Sequence, residues 1–306
     1  MDLLEQMESR VVCGDGAMGT LLFCRGIPVD RCVEELSISD AARVSAIHEE
    51  YVAAGARVIK TNTFGANAVR LARFGLEECV REINLAAARL ALQAARRDNV
   101  CVAANIGPLG ITADKAQEHG IDRAAVFREQ AAALVEGGVR LLFFETFTDF
   151  AEMEIALRAA PKNDCTIICS FACDPEGRLS SGMLLADALV RVRAIGAAVV
   201  GANCLNGPDA MIQVLQRLPA GGPLAAYANA GYPKYIEGCY VYPATAAYFA
   251  AAAREMAAEG ARLIGGCCGT TPAHVAAIAA ALADLKPLRT KLSRITQARE
   301  TAVPKI

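Results

Sequence analysis

The sequence predicts an α/β protein with the architecture of a (β/α)8 TIM barrel, and three observations carry that expectation. Short apolar runs alternate with alanine-rich helical runs eight times over roughly 280 of the 306 residues. The runs are continuously apolar rather than alternating, as a parallel sheet covered on both faces requires. Polar and chemically active residues collect at the C-terminal ends of the runs, which in a barrel ring a single face. An open doubly wound sheet is the alternative architecture.

The strand candidates, in order, are "RVVCGD" (10–15), "RVIKTN" (57–62), "VCVAANIG" (100–107), "RLLFFET" (140–146), "CTIICSFA" (165–172), "AAVVGANC" (197–204), "PLAAYANA" (223–230) and "RLIGGCC" (262–268). Helical runs fill the gaps. The run from Asp40 to Ala56 opens on an N-capping aspartate and closes near Gly55. Residues 77–97 are alanine-rich and basic at the C-terminal end, as the helix dipole favours. Residues 122–138 end in two glycines, a C-cap signal. The runs at 243–261 and 271–285 carry Pro243 and Pro272, expected in a first turn where a missing N–H costs nothing. Residues 1–284 are therefore read as one barrel, and 285–306 as a basic, proline-punctuated tail or linker.

Composition excludes several classes of function. A hydrophobic fraction of 54% argues against disorder, and a net charge of −2 with no tryptophan gives nucleic acid and anionic membrane little to bind. The first 15 residues lack the basic and apolar segments of a secretory signal, and no apolar run reaches membrane-spanning length. A cytoplasmic location is expected. There, a framework of disulfides among the 12 cysteines is not expected, and most of them, Cys79, Cys101, Cys165 and Cys169 included, read as small buried hydrophobes. "GDGAMG" (14–19) satisfies the dinucleotide fingerprint literally. However, Gly26 and Pro28 interrupt the helix that motif requires, and the next strand ends in Lys60-Thr61-Asn62 rather than an acid.

The chemistry gathers at the strand ends. Cys204 ends the sixth strand, and the adjacent pair Cys267-Cys268 ends the eighth, so all three thiols share one rim. Three converging thiolates make a zinc (Zn2+) site with one position open for substrate. Gly265, Gly266 and Gly269 would let the backbone aim both adjacent sulfurs at one ion. A strained vicinal disulfide and a pair of core cysteines are the competing readings. Glu145 follows an apolar run, and a carboxylate buried there needs a cation. Together with Asp15 it suits a substrate ammonium, while the backbone N–H groups after Asp15, at Gly16 and Ala17, suit a carboxylate. The histidines read as ordinary: His48 as packing or surface, His119 in a polar loop, and His274 as solvated, with a supporting place behind the site as its alternative.

In order along the chain, "GDGAMGT", "TNTFGAN", "NIGPLG", "FFETFTD", "GANC" and "GGCCGTTPAH" resemble the zinc-dependent homocysteine S-methyltransferases, from about residue 10 to about 284. The wording of residues 11–75 is most similar to the homocysteine module of cobalamin-dependent methionine synthase and to bacterial fusions with a methylenetetrahydrofolate reductase. The resemblance implies a (β/α)8 barrel, zinc held by Cys204, Cys267 and Cys268, and L-homocysteine as methyl acceptor with its amino group near Asp15 and Glu145. It also implies Asn229, in "YANAG", as a fourth zinc ligand before substrate arrives. Gly65 stands where the betaine-using branch carries a tyrosine, which argues against betaine as donor. The donors that remain are a methylcorrinoid system, with its carrier protein or methyltetrahydrofolate, and S-methylmethionine or S-adenosylmethionine. A non-catalytic zinc- and homocysteine-binding barrel, or a vicinal-dithiol redox protein, are the other functions compatible with the residues.

Overall fold

The structure, a computed structural model, describes residues 2–96, 100–162, 164–219, 221–236 and 239–288. Most of the basic tail, residues 289–306, lies outside the described residues, as does Arg97 at the end of the second helical run.

Eight parallel strands form the sheet: β1 (Val12–Cys13), β2 (Val58–Lys60), β3 (Cys101–Ile106), β4 (Leu141–Phe147), β5 (Thr166–Phe171), β6 (Val199–Asn203), β7 (Leu224–Ala228) and β10 (Ala261–Gly266). Their order is β1-β10-β7-β6-β5-β4-β3-β2, and a parallel bridge between Gly14 and Val58 joins the two ends. The expected barrel is therefore the observed one. All eight expected strands are present; seven are shorter than their apolar runs, and β4 matches its run in length, shifted by one residue.

Successive side chains on a strand point to opposite faces, and this alternation builds both the core and the site. Outward residues pack beneath the helices in one large apolar cluster. Inward residues, among them Val12, Val58, Leu141, Phe143, Ile168, Tyr227 and Leu263, fill the barrel's interior. A short helix, Leu3–Ser9, closes the N-terminal end, its Leu3 and Met7 joining that interior cluster. Counting two residues up from the inward positions Val58, Ala103, Phe143 and Gly265 reaches Lys60, Asn105, Glu145 and Cys267. The top inward layer is thus polar where the layers below are apolar.

Small residues let the interior close. A Cβ on Gly201 would overlap the Ala225 carbonyl of the neighbouring strand. Gly201→Ala should force the β6–β7 ladder apart and cost about 1–3 kcal/mol, the usual range for overpacking. Thermal unfolding measures this directly, and an unchanged midpoint would contradict it.

One local expectation needs correction, and two details go beyond the sequence. Pro243 does not open a helix. That helix runs from Ala246 to Ala258 behind an N-cap Thr245, whose hydroxyl accepts the Tyr248 N–H, and Pro243 belongs to the loop before it. Asp40 is the N-cap of helix Ala41–Ala53, as expected, but makes no side-chain cap bond; Arg43 Nε donates to its carboxylate at 2.8 Å. Between β7 and the next helix, the chain also forms an antiparallel hairpin, β8 (Lys234–Ile236) with β9 (Cys239–Val241), in register Lys234 with Val241. Among the described residues no helix is long and apolar enough to cross a membrane.

Candidate functional site

A cavity of about 360 Å³ opens at the C-terminal end of the barrel, within the range of pockets that take small ligands. Its wall holds Cys204, Cys267 and Cys268 on one side and Asp15, Lys60, Asn105 and Glu145 on another, with Met18, Phe23, Val33 and Phe64 forming apolar surface.

The three sulfurs, drawn from β6 and β10, lie within 4.8 Å of one another. Backbone conformation and hydrogen bonds hold them there. Cys204 takes a left-handed backbone, φ 59°, and its N–H donates to the Tyr227 carbonyl at 2.9 Å. That conformation is uncommon for a residue with a Cβ and is kept only where the surroundings enforce it. Thr146, on the facing strand, is also left-handed at φ 66°. Its N–H donates to Asn203 Oδ1 at 2.8 Å, and Asn203 Nδ2 donates back to its hydroxyl at 2.6 Å. In the glycine-rich loop, the N–H of Cys267 donates to Ala228 O, that of Cys268 to Asn229 Oδ1, and that of Gly269 to Thr20 Oγ1. Gly269 has φ +78°, and a Cβ there would run into the ring of Tyr242, which follows the hairpin. Tyr242 therefore lies against the cysteine loop, with its phenol pushed up to about 12 by burial and then by the nearby sulfurs.

This donor set suits a soft cation. Hydrogen bonds from Cys267 and then Cys268 hold the Cys204 thiol down to about 3, while Cys204 in turn keeps the protons on its two neighbours. Three thiols in mutual contact, one already favouring the thiolate, are what a zinc-type ion would replace protons to bind. They are unpaired cysteines in the structure. Asn229 is also at the site, with its Oδ1 engaged by the Cys268 N–H at 3.0 Å.

The acidic side of the cavity contains a residue that the sequence reading passed over. Lys60 is buried, and its Nζ lies 2.8 Å from Glu145 Oε2 and 4.0 Å from Asp15 Oδ1. It also sits over the Tyr227 ring, 4.4 Å from the centroid. Burial works against its charge, but Glu145 and then Asp15 outweigh this and its ammonium is held charged. Burial pushes the Asp15 carboxyl up to about 7 and raises Glu145, in both cases against the pull of Lys60. Position parity was the available signal for Lys60, because it shares the inward face of Val58 two residues earlier.

Gly16 and Ala17 line the same cavity. A Cβ on Gly16 would press on Thr270 and Tyr51, so glycine lets the loop pass. The Ala17 N–H already donates to Thr270 Oγ1 at 3.1 Å, and its carbonyl accepts from Tyr51 at 2.6 Å. His274 is not solvated: its Nδ1 lies 2.9 Å from the Thr271 hydroxyl and its Nε2 2.9 Å from the Ala244 carbonyl, pinning the helix after the cysteines. His48 is fully buried as packing, and burial lowers its ring to about 4. His119 is exposed at the end of helix Ala113–Glu118.

Residues 12–282 match the family model for homocysteine S-methyltransferases. The chain is 30% identical over 311 residues to the methionine synthase of Mycobacterium tuberculosis, a match that covers 93% of this chain and 26% of that protein. The methionine synthase of Mycobacterium leprae is also 30% identical, over 92% of this chain and 25% of the relative. The chain thus spans about a quarter of the length of these curated relatives. Among solved structures, the metallated form of the homocysteine methyltransferase MmuM from Escherichia coli superposes with a TM-score of 0.73 at 27% identity, over 89% of this chain and 96% of that one.

Proposed function

The chain belongs to the homocysteine S-methyltransferase family, and from that premise we propose that it transfers a methyl group to the sulfur of L-homocysteine, forming methionine, at a zinc ion held by Cys204, Cys267 and Cys268. The observation that carries the reading is the convergence of these three sulfurs on the wall of the same cavity as the buried acids Asp15 and Glu145. A ligand with a thiol at one end and an ammonium at the other fits those two poles.

Zinc bound by the three cysteines would stabilise a substrate thiol as its thiolate near neutral pH. The chain's own residues do the rest. Asp15 and Glu145 form the acidic pole of the cavity, toward which the amino group points. The backbone after Asp15 offers the Gly16 N–H toward the carboxylate, while the Ala17 N–H donates to Thr270 Oγ1. Asn229 steadies the cysteine loop through the Cys268 N–H and is the nearest protein candidate for a fourth ligand before substrate enters. Met18, Phe23, Val33 and Phe64 form the apolar wall over which a methyl donor approaches, and they keep water from the sulfur. In the reaction a sulfur electron pair forms the new S–C bond as the donor's bond to methyl breaks, and the leaving group keeps that bond's electrons.

Metal analysis and turnover test the proposal together. One zinc per chain is expected, with methionine formed from homocysteine and one of methylcobalamin, S-methylmethionine or S-adenosylmethionine. Zinc-free protein that is fully active would overturn it. Zinc-free protein with a titratable dithiol and no turnover would favour a redox role, and zinc and homocysteine binding without turnover would favour a binding module.

A further inference from the structure

The pair of acids faces a question of occupancy, because an ammonium already belongs to the protein there. Lys60 makes its short contact with Glu145, at 2.8 Å, and stops 4.0 Å short of Asp15 Oδ1. The other Asp15 oxygen accepts the Lys60 backbone N–H at 2.7 Å. Asp15 Oδ1 is left buried without a hydrogen-bond partner in the described protein, and so is Asn105 Oδ1. Both residues line the cavity. A buried acceptor with no donor is costly, and two of them on one ligand cavity call for a ligand that brings N–H groups.

Lys60 is also the single cation among the described residues lining that cavity, whose acids are Asp15, Glu34 and Glu145. Glu34 is occupied elsewhere, accepting the Gly65 N–H at 2.8 Å. The ring of Tyr227 under the ammonium adds a cation–π contact, and Phe143 a second at 5.4 Å. Lys60 is therefore fixed from below and from the Glu145 side, and it has no polar contact toward Asp15 short enough to satisfy that oxygen.

We propose that Lys60 is a specificity-determining residue: it fills the Glu145 seat with the protein's own ammonium, so the ammonium of the amino-acid substrate is read by Asp15 Oδ1 and Asn105 Oδ1. This rests on the functional reading above and refines it. Glu145 serves as counter-ion to Lys60, and Lys60 decides which carboxylate faces the ligand. Removing Lys60 vacates the Glu145 seat and transfers recognition to it.

The test compares the zinc-loaded protein's affinity, by calorimetry, for homocysteine and for 4-sulfanylbutanoate, the same thiol acid without the amino group. The ratio of the two affinities reports ammonium recognition alone, and a general loss of packing does not move it. In the native background, Asp15→Asn and Asn105→Ala should each lower the ratio, Asp15→Asn by about 10- to 100-fold, as loss of a charged hydrogen bond does. Glu145→Gln, whose amide oxygen can still accept from the Lys60 ammonium, should lower it by less than Asp15→Asn does. In a Lys60→Met background, Glu145→Gln should lower the ratio by about tenfold or more. A native-background collapse of the ratio on Glu145→Gln, with Asp15→Asn neutral, would overturn the proposal. If Lys60→Met does not fold, the three native-background variants still decide. Native protein that binds no homocysteine at all would overturn the functional reading instead, so the two failures are distinguishable.

Discussion

Cys267→Ala is expected to strip the metal and to reduce methionine formation by at least two orders of magnitude. A zinc site in protein binds with about 10–16 kcal/mol shared over four ligands, so one ligand carries roughly 2.5–4 kcal/mol, or about 10²–10³-fold in affinity. Two sulfurs would remain beside Asn229, too few thiolates to hold the ion tightly. Cys204→Ala should behave alike, because its sulfur comes from the other strand of the same cluster. Zinc content by elemental analysis and turnover with the preferred donor are the measurements. The folded state should persist, since Cys267 is only one partly buried member at the edge of the interior cluster. Retention of stoichiometric zinc with full turnover would remove the cysteine triad from the function.

The second large effect concerns Asp15 and has a pH signature. Burial raises its carboxyl from 3.8 to about 7, against the opposing pull of Lys60. A ligand ammonium needs the ionised form, so selectivity for homocysteine over its des-amino analogue should rise as pH increases through about 7 and level off above. In Asp15→Asn the selectivity should be about 10- to 100-fold lower at pH 8, and flat with pH. Stability should run the opposite way. A carboxyl with a raised folded-state pKa favours folding fully below its unfolded value of 3.8, and that contribution is lost as pH climbs through about 7. Compared with the variant, the native protein should therefore lose stability between about pH 4 and pH 7. A native selectivity that does not change with pH would show that Asp15 does not face the ligand's amine.

The barrel was legible because its strands are apolar on both faces and its helices are alanine-rich. Eight runs, "RVVCGD" to "RLIGGCC", fall where eight strands lie. The same count placed Cys204 and Cys267-Cys268 on one rim, where the sulfurs in fact meet. The hairpin was not legible, since its strands have three residues each and sit among glycines and prolines that read as loop. Pro243 misled for a related reason, because proline near a helix start fits the loop before an N-cap as well as the first turn. Lys60 escaped because a lysine at a strand end usually points to solvent. Its burial depends on Glu145, 85 residues away along the chain, and only inward parity hinted at it. Tyr242 escaped because its contact with Gly269 depends on how the hairpin loop returns over the rim.

The closure of the barrel between β1 and β2 rests on little. β1 has two residues, and the strands meet through the Gly14–Val58 bridge, the Arg57 N–H to Cys13 and the Lys60 N–H to Asp15 Oδ2. The last of these stitches is made by a side chain of the ligand cavity itself. Whatever grips Asp15 from within also tightens the weakest join of the cylinder, and any opening of that join loosens the grip. With Asp15 assigned to the substrate amine as proposed, substrate affinity and closure of the fold are coupled through that residue.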